Sequence, residues 1–184
     1  TGAYLLAYAL PLKKIALTGR SPGLLQPIAP AVAQSLIADG RGWDNKDRKS
    51  TYDRYADAEL LDRLGSWSPI VRERAAGALA RRKEPPLPAI IALLDSANLN
   101  ARIGACHALE ALRGAAAPAV PQLRRALQHD DLWLRVRAAT ALAVMGKPAL
   151  PALPDMLERI ARGPSPEDPR GMEQRFVSSA IFRD

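Results

Sequence analysis

The feature that most constrains this chain is a period. Three strings, VRERAAGAL (71–79), ARIGACHAL (101–109) and LRVRAATAL (134–142), align without gaps at steps of 30 and 33 residues. They put Arg72, Arg102 and Arg135 in one column, Ala75, Ala105 and Ala138 in a second, Ala78, Ala108 and Ala141 in a third, and Leu79, Leu109 and Leu142 in a fourth. A second block follows each first one: PAIIALL (88–94), PQLRRAL (121–127) and PDMLERI (154–160), both steps being 33 residues. Two blocks keeping nearly one period describe a two-part unit used repeatedly, and a period of this size marks a stacked array. The three-residue shortfall lies between Arg72 and Pro88, which predicts a tighter connection inside the first unit.

Each block has helical spacing. Val71, Ala75 and Leu79 run i, i+4, i+8; Val120, Leu123 and Leu127 run i, i+3, i+7; Leu153, Leu157 and Ile160 run i, i+4, i+7. Each set makes one apolar stripe. Pro86, Pro88, Pro118, Pro121, Pro148, Pro151 and Pro154 fall at or near the expected starts of the second helices, where the missing N–H costs little and the fixed φ favours initiation. Gly114 and Gly146 sit where the first helices of units two and three should end, one position out of register with each other. Residues 52–64 read as the second helix of an earlier unit, because Leu64 precedes Arg72 by eight residues as Leu94 precedes Arg102. Residues 169–182 read as the first helix of a further unit, after a Pro/Gly-rich insertion. One helix pair cannot bury its own stripe, so the pairs must stack. The expected fold is all-α: a solenoid of antiparallel helix pairs, about three full repeats over 52–162 with partial ones at each end.

The strings VRERAAGALA (71–80) and LRVRAATALA (134–143) resemble the first helix of HEAT repeats, in the short subtype of phycobilisome-lyase-like proteins. That resemblance covers about residues 52–162. It implies an α-solenoid with first helices on the convex side and second helices lining the concave side. The family's usual Asp a few residues before the Arg is matched by Asp95 and by Asp130, but not before Arg72. The Thr-Pro-Leu-His turn of ankyrin repeats and the Trp, Leu-Gly, Tyr pattern of tetratricopeptide repeats are absent.

Outside the array, residues 2–10 and 22–39 read as helices, the second interrupted by Pro27 and Pro30, with KKIALTGR (13–20) as a short strand or extended turn between them. Residues 1–39 suggest the tail of a preceding helical domain, 40–51 a polar linker, and the start at Thr1 a piece of a longer protein. No run approaches the ~20 apolar residues that cross a bilayer. GAYLLAYAL (2–10) lacks the basic flank and cleavage pattern of a signal peptide. The single cysteine, Cys106, excludes an intrachain disulfide and leaves the compartment open.

The net charge of +7 is uneven. Residues 66–163 hold 14 Lys and Arg against 8 Asp and Glu, residues 1–65 hold 9 against 7, and residues 164–184 hold 3 against 4. A basic surplus on the array allows an acidic partner or a phosphate backbone, and equally the solvation of a long thin surface. The column Arg72, Arg102, Arg135 is a cation ladder for phosphates or an acidic peptide, or else a structural ladder bonding carboxylates or helix-end carbonyls in neighbouring units; HEAT-like repeats favour the structural role. Arg124, Arg125, Arg159 and Arg162 lie on second helices and, in the family's geometry, some of them face the groove. They are the candidate partner-binding residues, with Asp155 and Glu158 interleaved among them.

The remaining features point to little chemistry. Arg41 to Arg54 interleaves five basic residues with Trp43 and Tyr52, a composition suited to single strands, but Asp44, Asp47 and Asp53 offset the charge. The DNKD string (44–47) lacks the glycine and distant glutamate of a calcium loop. Adjacent Cys106 and His107 point in different directions from a helix, and His129 is isolated in a turn. Trp67 and Trp133 read as packing anchors between units. No phosphate loop, zinc spacing or nucleophile elbow is present.

The sequence therefore suggests a non-catalytic module without cofactor or metal that binds a protein or acidic peptide, including other domains of its parent chain. The alternatives are nucleic-acid binding along a basic face, and a non-catalytic part of a lyase-like enzyme; no membrane or small-molecule partner is indicated.

Overall fold

The computed structural model describes residues 51–182. The readings for 2–10, 13–20, 22–39, the 41–49 charge cluster and the DNKD string lie outside the described residues. The chain divides into two compact units between Arg54 and Tyr55. The second unit is described below.

Among the described residues there is no strand, as the periodicity requires. In the second unit eight α-helices follow in order: α1 (Asp57–Leu64), α2 (Pro69–Ala80), α3 (Leu87–Ala92), α4 (Leu99–Leu112), α5 (Val120–Ala126), α6 (Leu132–Met145), α7 (Leu153–Arg162) and α8 (Met172–Ile181). A 3₁₀ turn, Leu93–Asp95, extends α3. The first helices α2, α4, α6 and α8 pack in succession, and each second helix packs beside its neighbours, α1 on α2, α5 on α6 and α7 on α8.

The repeat columns explain the stacking. Ala75, Ala105, Ala138, Ala78, Ala108, Ala141, Leu79, Leu109 and Leu142 are all fully buried. Alanine at two of three columns lets adjacent first helices approach closely, and leucine fills the space between them and the second helices. Helix starts are marked by a further column, Ser68, Asn98 and Asp131, at the N-cap of α2, α4 and α6. Asn98 Oδ1 accepts from the Asn100 N–H at 2.9 Å and Asp131 Oδ1 from the Leu134 N–H at 2.8 Å, satisfying donors with no partner inside the helix. Pro88, Pro121 and Pro154 take the second position of α3, α5 and α7. The shortfall in period also has a location. Units two and three join their helices through 3₁₀ segments, Arg113–Ala119 and Lys147–Ala152, whereas α2 passes to α3 through residues 81–86 with no such segment.

The glycine pair expected to end α4 and α6 behaves differently from its sequence. Gly146 follows α6 at φ 68°, ψ −135°. The residue holding the same conformation after α4 is Arg113, at φ 53°, ψ −132°, and not Gly114. The two helix ends share one geometry, and one of them holds it with an arginine. That region is open to glycine and costs an L-residue about 1–3 kcal/mol. Glycine in turn loses about 0.4–1 kcal/mol more chain entropy on folding. Arg113→Gly is thus expected to stabilise the chain by about 1 kcal/mol. An unchanged or lowered denaturation midpoint would show that Arg113 is not strained.

Trp67 departs from its expected role. It is 84% exposed in the turn between α1 and α2, where the backbone carbonyl is used and the indole points outward. Trp133 does bridge units: its ring meets Phe176 of α8 edge-on, centroids 5.9 Å apart. No described helix is long and apolar enough to cross a membrane.

Candidate interaction surface

The arginine column is tied to its own frame. Arg72 Nη1 donates to the carbonyls of Ser66 at 2.6 Å and Trp67 at 3.0 Å, and to Asn100 Oδ1 at 3.2 Å. Arg102 donates to the Ser96 carbonyl, and its Nη1 lies 2.8 Å from His129 Nε2. Arg135 Nη1 donates to the carbonyls of His129 at 2.8 Å and Asp130 at 2.7 Å. In each unit, then, the arginine bonds the carbonyl six residues earlier, in the turn entering its helix, and also reaches into the next unit. A fork of five donors can tie a turn and a neighbour at once. Arg72 and Arg135 are each 7% exposed. Asp95 and Asp130 do not supply carboxylates to this column: Asp130 contributes its backbone carbonyl, and Asp95 lies against Arg125.

The ladder's last rung is reinforced. Glu173, on α8, accepts from Arg135 Nε at 2.9 Å and Nη2 at 2.8 Å, and from Arg159 Nε at 2.6 Å and Nη2 at 3.0 Å. One carboxylate is forked by two guanidinium groups, one from each helix of unit three. The three side chains are 8–11% exposed. Burial works against the Glu173 charge, but the bonds from Arg159 and Arg135 outweigh it and hold the carboxyl below its ordinary range. The Arg135 guanidinium is held above its ordinary value chiefly by its bond to Glu173. Asp168 positions the acceptor: its carboxylate takes the N–H groups of Met172 and Glu173 at 2.8 Å each, capping the start of α8.

This settles where Arg159 is. Expected on an open groove, it is 8% exposed and turned onto Glu173. Its position on α7 faces the incoming α8, and a second-helix residue that meets the next first helix is covered by it. Arg124, Arg125 and Arg162 do lie on the exposed face. Arg124 Nε donates to Asp155 Oδ2 of α7 at 2.5 Å, Arg125 Nη2 sits 3.3 Å from Asp95 at the end of the α3 segment, and Arg162 Nη2 pairs with Glu158 at 2.6 Å. Two of these pairs join successive second helices. At each exposed pair the gain is small, because water competes with it.

The second helices repeat their exposure as well as their sequence. Pro88, Pro121 and Pro154 are exposed, as are Ala92, Arg125 and Glu158, and Asp95, Gln128 and Ala161, each set at 33-residue steps. Leu157 is 45% exposed beside them. The face is periodic and close to neutral, with three arginines set against three carboxylates. Glu173 was the residue the sequence concealed. It lies 38 residues beyond Arg135, outside the repeat of 33, and only its place on α8, a helix the period extrapolates, hinted at it. Among the described residues no cluster of three His, Cys, Asp or Glu could hold a metal ion.

A family model described as HEAT repeats matches residues 58–120, from α1 to the start of α5 and less than half of the chain. No curated protein and no solved structure matches.

Proposed function

We propose that this chain is a non-catalytic binding module that holds a protein segment along the exposed face of α3, α5 and α7. The observation carrying this reading is the repeated exposure of equivalent second-helix positions on a frame of stacked first helices. An extended partner can meet the same kind of contact every 33 residues at little ordering cost to the module, since the frame is already fixed. Residues 58–120 match HEAT repeats, which generally serve as protein-interaction scaffolds.

The chemistry of the partner follows from the pairing. Arg124, Arg125 and Arg162 each have a carboxylate beside them, so a polyanion must displace Asp155, Asp95 and Glu158 to use them. A segment of mixed charge, with its own acids and bases at spacings that exchange with these pairs and with apolar residues over Leu157, fits better. The same count argues against a phosphate backbone. Of the array's arginines, Arg72, Arg102, Arg135 and Arg159 are bonded within the chain, which leaves the surface less basic than the composition suggests. The finer resemblance to the phycobilisome-lyase-type subtype rests on residues 71–80 and 134–143 alone, and suggests no residue with a chemical role.

A photo-crosslinking residue at Gln128, compared with one at Arg74 on a first helix, tests the surface in the producing cell. The expected result is one captured protein at position 128, absent at 74, and lost when Arg124 and Arg125 are both changed to Glu. Capture that survives the double charge reversal would remove the second-helix face from consideration.

A further inference from the structure

On the opposite face, α2, α4 and α6 line an open cleft of about 450 Å³. Its walls carry Glu73 from α2, Glu110 and Arg113 from the end of α4, and Arg137 from α6, with Gly77 leaving room at one side and His107 lining it. On the second-helix face every arginine has found a carboxylate, whereas among the described residues none of Glu73, Glu110, Arg113 and Arg137 makes an ion pair, although two acids and two bases share one cleft. His107 is 7% exposed, and among the described residues its ring has no hydrogen-bond partner. Its ring nitrogens are not fully enclosed, and they open onto the cleft.

A second observation concerns Arg113. It occupies the backbone conformation that the next unit gives to Gly146, so an arginine is kept at a glycine position where it lines this cleft. Strain retained at a cavity wall points towards a use for the side chain.

We propose that this cleft binds a small zwitterion carrying one carboxylate and one ammonium group, the class to which free α-amino acids belong, with the carboxylate between Arg113 and Arg137 and the ammonium between Glu73 and Glu110. Such a ligand brings an opposite charge to both the acids and the bases that line the cleft. Arginine suits the carboxylate because its fork can bond both oxygens. His107 adds a neutral contact. Its burial, with Arg137 and then Arg72 nearby, pushes its pKa down to about 4, so at neutral pH the ring offers one donor and one acceptor. This reading is independent of the second-helix face and does not rest on it.

The chain has only two histidines, so ring resonances report directly on His107, with His129 as internal reference. The twenty common amino acids are titrated to millimolar concentration, alongside acetate and methylammonium as separate half-ligands. The expected result is saturable movement of the His107 signals with at least one amino acid, His129 unmoved, and neither half-ligand effective at the same concentration. Binding is expected to weaken at least tenfold in Arg137→Gln and in Glu110→Gln. Arg113→Gly is the decisive variant, since it is expected to be more stable than the parent and yet to bind at least tenfold more weakly. Silence of the His107 signals towards all twenty amino acids would overturn the proposal. So would half-ligands that move them as far as the whole molecule does, or undiminished affinity in Arg113→Gly and Arg137→Gln.

Discussion

Replacing Glu173 by alanine is expected to destabilise the chain by about 3–5 kcal/mol, the usual cost of leaving a buried charge without its partner. Here two charges are orphaned together, because Arg135 and Arg159 both fork onto the same carboxylate. The glutamine variant isolates the charge from the shape: it keeps the side chain's volume but offers the two guanidiniums one acceptor oxygen and a competing NH₂ donor group. It should lose most of the same stability. The effect should also be local. α8 is attached chiefly through α6 and α7, so hydrogen exchange of residues 172–181 should accelerate ahead of the rest of the array. Equal denaturation midpoints for the parent and the glutamine variant would mean that the clasp contributes nothing.

The same group gives the stability a pH dependence of known sign. The folded-state pKa of Glu173 lies below its unfolded value: burial raises it, and the bonds from Arg159 and Arg135 more than reverse this. A carboxylate depressed on folding binds fewer protons in the native state than in the unfolded one, so its contribution is complete above the unfolded pKa of about 4.3 and is lost as pH falls through the folded value. The parent should therefore lose stability below about pH 5, and Glu173→Gln should lose less over that interval. A parent and variant that fall in parallel would assign the acid sensitivity to other carboxylates.

Gly104→Ala should have the second large effect. A Cβ at Gly104 would stand 2.1 Å from the Leu64 carbonyl oxygen and 2.8 Å from its carbon. Those are backbone atoms at the end of α1, which cannot swing aside as a side-chain tip would. Either α1 and the turn through Gly65 shift away from α4, or α4 moves within the stack. Overpacking of this kind costs about 1–3 kcal/mol and occasionally more, and a backbone obstacle belongs at the upper end. Alanine is otherwise the better helix former by about 1 kcal/mol, so propensity predicts the opposite sign. A measured gain in stability would mean that α1 does not approach α4 as described.

Both effects sit at positions where the repeat breaks. In the columns, Gly104 aligns with Arg74 and Arg137, and nothing in the spacing says why one unit has glycine there. The reason is α1, whose end presses on α4. Arg113 is a similar case: the sequence offered Gly114 as the helix end, while the structure shows Arg113 in the place of Gly146. Arg159 looked like a groove residue because the family places second helices there, and its true neighbour is set by how α8 returns across α7. The exposed ion pairs of Arg124 and Arg125 were also hidden, since which aspartate each one meets depends on how adjacent second helices are offset.

What the sequence determined by itself is the fold of the array. Helical spacing, the N-cap column, the prolines at second-helix starts and the alanine columns are local signals, and stacking identical modules turns local signals into a global structure without further instruction. What the tertiary structure decided is where charge resides: which arginines are tied to carbonyls, that Glu173 serves two of them, and that Glu73, Glu110, Arg113 and Arg137 on the first-helix face make no ion pair among the described residues. Ion pairing depends on distances of a few ångströms between residues far apart in the chain, and side chains of four or five rotatable bonds reach several candidates equally well. Only the packed helices select among them.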